Sequence, residues 1–566
     1  MPNDRLAHYG LLALVFVLAA ALRLWGLAEQ GVLSVDEGRY LLDGYSKAIE
    51  LHWAWDVLEA KRAETAGGPE FVLADAVHAI HPTLSLNHPF APKIGYTYAI
   101  AAVMLATGFT LWAASIIEAV FGLLCVLAVY RFVRMLMDDR VALAAAALLA
   151  FSCYHVYFSR NAYPQQFSVY LLLEALIVHL WWLRGGRDNE GPRHAAWLLV
   201  CGALCGLSFL VNYQVAGALP LICFVHLTCC VALPKWTEKA SRFVTGGIAI
   251  AVGFFAMIIL AEASSYPQIF LFRSQGLDYP HPTFFETLWP RLTVNTGVGY
   301  NWEGLVLFPY FLMLLEGPGV WMLVFGATGM ALWVWIEECR GGRHSDLCTD
   351  WLRAWMYLIP ALLVPTFLFS VKTMQGARMF TYSLPFFAIV VAVFAVYAWH
   401  TPQPRQALFR AVLGACALIA AASSAWGNWE VLRIRSAYPQ AMTYINNSEM
   451  PAASSSWLAI LESYAGVYDV TLGVPHRKDG PDPIPHNYLV SDWQEFYYGH
   501  YPDESSVMPD NAIPEVSFDH AFGRRFLEVE AFPGFARSFW SIRWVRGLDL
   551  DRARKLHLYN LPQTGL

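Results

Sequence analysis

Charge is scarce in this sequence. Asp, Glu, Lys and Arg make up 14% of its 566 residues, and 57% are hydrophobic. A soluble domain carries about a quarter charged residues, so the composition is that of a membrane protein with some soluble mass attached. Acidic residues outnumber basic ones 44 to 38, for a net charge of −6. There is no basic patch of the kind a nucleic-acid partner requires, and nucleic acid is excluded on that ground. A Gly-rich phosphate loop, a CxxC pair and an HExxH helix are also missing. The ten cysteines all fall between Cys125 and Cys416, mostly inside apolar runs. That excludes a disulfide scaffold and a cysteine–zinc site. No third carboxylate follows the Asp36-Glu37 pair closely enough to give a hard cation its oxygen ligands, so neither a metal nor another cofactor is expected.

What the sequence has in quantity is long apolar runs. Eleven stretches are long enough to cross about 30 Å of hydrocarbon. They fall near 8–27, 112–136, 141–158, 166–184, 195–211, 215–233, 243–262, 317–337, 354–370, 379–399 and 407–426. With the N-terminus inside, the inner loops carry Arg131/Arg134/Arg140, Arg184/Arg187/Arg193, Lys235/Lys239/Arg242, Arg340/Arg343/Arg353 and Arg405/Arg410. This is the positive-inside bias. The N-terminal run has no A-x-A-like site and fits a retained anchor better than a cleaved signal. Ile94–Phe109 is apolar but short, and is read as a helix lying in the outer interface.

The expected fold is a polytopic α-helical membrane protein of about 11 transmembrane helices plus interfacial helices, with a C-terminal soluble α/β domain. Residues 1–426 form the membrane module, with outward loops 28–111 and 263–316, and residues 427–566 form the second domain. In that domain Tyr438–Ile445 predicts a helix. Asn487–Asp492, Arg525–Glu530 and Lys555–Tyr559 predict strands. The setting is an integral membrane protein, as in a bacterial inner membrane, with its C-terminal domain outside the cytoplasm.

Ser34-Val35-Asp36-Glu37-Gly38-Arg39-Tyr40 follows the first apolar run directly. Two adjacent carboxylates at the membrane boundary are expensive unless water, a cation or a substrate meets them. Isolated cations stand next to other span ends: Lys93, Arg160, Arg273, Lys372 and Arg378. One carboxylate among several cations suits a reaction in which the acid takes a proton from an incoming hydroxyl. The cations then hold a phosphate-bearing leaving group. The plainer alternative is a solvated acid pair, with Lys93, Lys372 and Arg378 as interfacial anchors that snorkel. Arg23 is read the same way. Arg291 is a further cation candidate, Arg160 has the alternative of tying its loop, and His88 reads as a turn residue. Glu174, inside the fourth span, is either a functional group or the partner of a neighbouring span.

These segments look familiar together. They are Asp36-Glu37-Gly38-Arg39-Tyr40 after the first span, His88-Pro89-Phe90-Ala91-Pro92-Lys93 before the interfacial helix, Tyr157-Phe158-Ser159-Arg160-Asn161-Ala162 after the third span, and the stretch Lys372 to Pro385 entering a late one. Their order and spacing over roughly residues 5–426 resemble the GT-C fold glycosyltransferases, specifically the protein O-mannosyltransferase and lipid A aminoarabinose transferase superfamily. The resemblance implies an enzyme that takes a sugar from a polyprenyl-phosphate donor and passes it, with inversion, to a lipid, glycan or protein acceptor on the non-cytoplasmic face. It implies Asp36 as base with Glu37 as its neighbour. It also implies Lys93, Arg273, Lys372, Arg378 and Tyr382 around the donor phosphate. Two departures stand out. The loop Arg160–Gln166 has no acid where many relatives carry one, so either Glu37 does that second job or the acceptor chemistry differs. The His-Pro turn is looser than the usual Pro-Pro-Leu pattern. A lipid or sugar flippase, favoured by Glu174, and a catalytically idle scaffold of the same fold are the competing readings.

Overall fold

A computed structural model describes residues 2–65, 93–185, 192–213, 218–231, 236–264, 304–340, 352–370, 377–400 and 406–448, with short pieces between 266 and 288 and between 452 and 560. Helices occupy the apolar runs. Among the described residues six are long and apolar enough to cross a membrane: Leu6–Gln30, Ala113–Leu136, Gln165–Arg184, Lys239–Ala263, Pro318–Arg340 and Gln406–Leu432. Ala195–Val211, Leu219–Val231, Ala354–Thr366 and Leu384–His400 are shorter apolar helices, as is Ile94–Thr107. The chain is mostly helical and built for a membrane.

The run read as one span over 141–158 is broken. Asp139–Phe151 and Cys153–Arg160 are two helices bent by 57° at Ser152. The break has a local cause, because a second helix starts there. Ser152 Oγ accepts from His155 N at 3.1 Å. Glu316 takes the Ser152 hydroxyl and the backbone N–H groups of Cys153 (3.2 Å) and Tyr154 (2.9 Å). A carboxylate on the first N–H groups satisfies donors that would otherwise be orphaned and suits the helix dipole.

Close packing relies on small residues where backbones meet. Gly202 and Gly206 on Pro192–Val211 face the helix Trp236–Ala263. A Cβ at Gly202 would collide with the Ile250 carbonyl, and one at Gly206 would lie 2.7 Å from the Phe254 carbonyl. This is the small-xxx-small device that lets apolar helices approach in lipid.

Beyond the last long helix, Tyr438–Asn446 is helical and five strands form one sheet. They are β1 (Ala452–Ser454), β2 (Thr471–Leu472), β3 (Tyr488–Ser491), β4 (Val516–Asp519) and β5 (Lys555–Asn560), in the order β2-β1-β3-β5-β4. The first two pairings are parallel, β3–β5 and β4–β5 antiparallel. Along β5, Leu556 and Leu558 are fully buried while Lys555 is exposed, the period of two that sends one face to a core.

One expected strand is corrected. Arg525 and Phe526 are helical, and their side chains turn to the membrane helices. Arg525 pairs with Glu430 and donates to the Leu315 carbonyl at 3.3 Å, and Phe526 stacks on Tyr157 at 4.9 Å. The alternating pattern marked a docking contact there. Residues 527–530 lie outside the described residues.

Candidate active site

The chain leaves its first helix through two left-handed glycines, Gly26 (φ 61°) and Gly31 (φ 72°). It then starts the helix Val35–Thr65 with a capping box. Ser34 Oγ accepts from Glu37 N at 3.3 Å, and Glu37 Oε2 accepts from Ser34 N at 3.1 Å and Leu33 N at 2.8 Å. Glu37 Oε1 reaches across to Ala162 N at 2.8 Å. Glu37 is therefore buried and engaged by three backbone N–H groups. It also lies against the Arg160–Gln166 loop that lacks an acid of its own.

Asp36 behaves differently. It sits in the first helical turn, its side chain is 36% exposed, and Oδ2 pairs with Arg378 Nη1 at 2.5 Å. The guanidinium of Arg378 also lies 4.9 Å from the centre of the Tyr163 ring, a cation–π distance. The Tyr163 hydroxyl donates to Ser34 Oγ at 2.8 Å, closing the ring of contacts. Desolvation pushes the Asp36 carboxyl up, but Arg378, Lys93 and Arg39 together outweigh it and hold it below the usual carboxylate value. The same carboxylate keeps Arg378 protonated against its own desolvation.

Lys93 is nine-tenths buried and completes the cluster. Its ammonium donates to the Tyr40 hydroxyl and lies 4.3 Å from the Tyr40 ring centre and 6.0 Å from that of Tyr213. A carboxylate, two cations and three tyrosines thus converge at the start of the helix Val35–Thr65. The large apolar groove of about 1180 Å³ between the helices Pro2–Leu24, Asp139–Phe151, Leu384–His400 and Gln406–Leu432 is elsewhere. Asp36, Lys93 and Arg378 do not line it. Convergence of charge, not volume, defines the site.

The other expected residues divide clearly. Tyr382 lies beyond Arg378 on the 3₁₀ segment Ala377–Tyr382, and its hydroxyl is held by Ser168 (2.5 Å) and Asn212 (2.9 Å). It joins that segment to the bundle. Arg160 is wholly buried and donates to the carbonyls of Leu22 (3.3 Å), Arg23 (3.1 Å) and Trp25 (2.8 Å), with Nε on Gln30 (3.1 Å). It closes the end of the first helix. Glu174 is paired with Arg131 at 2.7 Å, so a neighbouring helix meets it. Arg273 is exposed. His88, Arg291 and Lys372 lie outside the described residues.

Arg23 does not snorkel, because it is fully buried. It donates to the carbonyls of Ala19 (3.0 Å), Ala150 (3.1 Å) and Leu149 (3.5 Å), and to His155 Nδ1 at 2.6 Å. The last two carbonyls close the helix Asp139–Phe151, where the dipole favours a cation. Four groups were missed from sequence: Tyr163, Tyr213, Glu316 and Glu118. Glu118 is buried and accepts from Gln166 N at 2.7 Å, capping Gln165–Gly185. The signal for both acids was there, since a lone carboxylate in an apolar run needs a partner. Among the described residues no group of His, Cys, Asp and Glu converges as a metal site.

Residues 87–260 match the family of dolichyl-phosphate-mannose-protein mannosyltransferases. The matched segment includes Lys93 but neither Asp36 nor Arg378. The structure of ArnT from Cupriavidus metallidurans in the apo state is similar with a TM-score of 0.50 and 14% identity, over 84% of this chain and 87% of that one. The same protein bound to undecaprenyl phosphate gives 0.48 and 14%, over 83% and 86%. The apo oligosaccharyltransferase of Archaeoglobus fulgidus gives 0.48 and 13%, over 87% and 70%. No curated protein sequence matches the chain. The chain is a membrane protein with the GT-C glycosyltransferase fold, and its residues 87–260 carry the mannosyltransferase family match.

Proposed function

We propose that this chain transfers a sugar from a polyprenyl-phosphate donor to an acceptor hydroxyl on the non-cytoplasmic face of the membrane, with inversion. It works through the eleven-span topology read from the charge bias. The observation that carries the proposal is the Asp36–Arg378 pair with Lys93 beside it. In the transfer, Asp36 accepts the proton of the acceptor hydroxyl as that oxygen bonds to the anomeric carbon. The bond from this carbon to the phosphate oxygen breaks, and its electron pair leaves with the lipid phosphate. Lys93 and Arg378 stabilise the charge that develops on the departing phosphate.

The pairing gives the site an order of events. With no donor, Arg378 neutralises Asp36 and keeps it a weak base. A donor phosphate competes for the guanidinium, which suits bidentate contact with phosphate. Asp36 then loses its strongest partner and gains an anionic neighbour, both of which raise its proton affinity. Donor binding therefore switches the base on. Glu37 is a positioning residue in this reading, holding the Asp36 turn against the 160–166 loop. The family match and the likeness to ArnT support a reaction of this class. Glu174, which had favoured a flippase, is tied to Arg131 and no longer does so.

The test is sugar release from a panel of radiolabelled polyprenyl-phosphate sugars by the purified protein, beside Asp36→Asn. Turnover of one donor by the wild type and loss in the mutant is the expected result. If both proteins bind donors and neither turns one over with a cell-envelope extract as acceptor, the proposal fails.

A further inference from the structure

The turn that carries Asp36 is gripped from the far end of the chain. Val32 N donates to the Tyr464 hydroxyl at 2.7 Å, and that hydroxyl lies 3.4 Å from the Val32 carbonyl. The adjacent Ser463 hydroxyl donates to the Gly38 carbonyl at 3.2 Å. Val32 and Gly38 stand on either side of Asp36, so two neighbouring side chains bracket the proposed base. Ser436 N donates to the Gln30 carbonyl at 2.8 Å, just upstream. The Tyr464 ring is fully buried and stacks on Tyr438, with centroids 5.3 Å apart and planes 8° apart. Tyr438 opens the first helix after the last long span. Gly31 completes the fit. A Cβ there would sit 2.5 Å from the Tyr464 hydroxyl and 2.9 Å from Ser436 Cβ.

From this geometry we infer that the segment after the last span is a positioning device for the transfer site, and that Tyr464 is its principal residue. The inference rests on reading Asp36 as the reacting carboxylate. The backbone on the N-terminal side of Asp36 bends through a left-handed glycine and makes little regular secondary structure. Val32 N has no helical or sheet partner, and Tyr464 supplies one. Without that hydroxyl the buried N–H loses its acceptor and the turn loosens. Asp36 then drifts relative to Arg378. Reaction geometry tolerates such drift poorly, and a displacement of about 1 Å costs on the order of 100-fold in rate. The coupling runs through the backbone, because Tyr464 and Ser463 hold Val32 and Gly38 on either side of the base.

The experiment uses the full-length protein and Tyr464→Phe, which keeps the stacked ring and removes the hydroxyl. Backbone amide exchange over residues 31–38 is followed by mass spectrometry, with residues 113–136 as the internal reference. Expected is faster exchange at 31–38 alone, with a roughly 10- to 100-fold lower kcat at unchanged donor KM. Tyr444→Phe, whose hydroxyl donates to Glu515 at 2.8 Å, leaves both unchanged. Exchange at 31–38 equal to wild type in Tyr464→Phe overturns the inference. If that variant does not fold, Ser463→Ala must show the faster exchange, and its failure to do so overturns the inference equally. Faster exchange in a protein whose wild type turns over no donor upholds the clamp and sinks the transferase reading instead.

Discussion

Asp36 and Arg378 are 342 positions apart in the chain and 2.5 Å apart in the fold. The carboxylate belongs to the first turn after the first span and the guanidinium to the 3₁₀ segment entering a late one. Each is costly alone at a membrane boundary, and each is the other's solution.

Under the proposed transfer, Asp36→Asn lowers turnover at least about 100-fold, the usual contribution of a positioned base. It does not weaken the binding of the free lipid phosphate. Arg378 loses its internal competitor, so affinity for undecaprenyl phosphate stays equal or rises. Binding and turnover measured on the same preparation separate the two effects. Weaker lipid-phosphate binding in Asp36→Asn would contradict the competition between carboxylate and phosphate.

The pH dependence follows from the sign of the Asp36 shift. Its folded value is depressed, so the pairing is fully present above the ordinary carboxylate value and is lost as pH falls through the folded value. No loss of the pair is expected anywhere in the neutral range. Arg378→Gln removes the largest charge that lowers this carboxyl, leaving desolvation to act against Lys93 and Arg39. The acid limb of the pH–rate profile then moves to higher pH. A limb that stays in place would mean that Asp36 does not control it.

Lys93→Met keeps the length of the side chain and removes its charge. A charge-assisted hydrogen bond to phosphate is worth about 1.5–3 kcal/mol, so donor affinity falls roughly 10- to 100-fold. The effect appears in KM and in direct lipid-phosphate binding. Tyr40→Phe, which removes only the hydroxyl that Lys93 meets, causes a smaller loss in the same direction.

Glu316→Ala strips the cap from the helix Cys153–Arg160 and leaves buried donors at Cys153 and Tyr154 without their acceptor. The expected cost is about 1–3 kcal/mol per orphaned group, read as a lower melting temperature in detergent. Glu316→Gln retains one acceptor oxygen and recovers part of the loss. An unchanged melting temperature in Glu316→Ala would show that water replaces the cap.

The division between what the sequence reveals and what it hides is physical. Asp36, Lys93 and Arg378 were legible because a charge beside an apolar run is expensive and needs a reason. Apolar length located the helices. What stayed hidden is non-local. Arg23 and Arg160 close the ends of helices distant in sequence, and Glu118 and Glu316 open others. Nothing in the residues around them says which helix end they meet. The bend at Ser152 was hidden for the same reason, because the acid that starts the second helix lies far down the chain. Tyr163 lies in the 160–166 loop, and nothing near it in sequence points to Arg378, whose guanidinium lies over its ring. The strand misread at Arg525 shows the limit of alternation, since a side chain drawn to Glu430 reads like one turned to solvent.

The contact between Tyr464 and Val32 also has a schedule. The two residues are 432 positions apart, and a ribosome adding roughly 10 residues per second needs on the order of 40 seconds to go from one to the other. For that interval the Val32 N–H lacks the acceptor it has in the finished fold, although the 160–166 loop, once made, already holds Glu37 and Ser34. Arg378 arrives late and Tyr464 later still. A chain released early, or cut before residue 464, therefore keeps Arg378 and the contacts of the 160–166 loop but lacks the Tyr464 brace on the Asp36 turn.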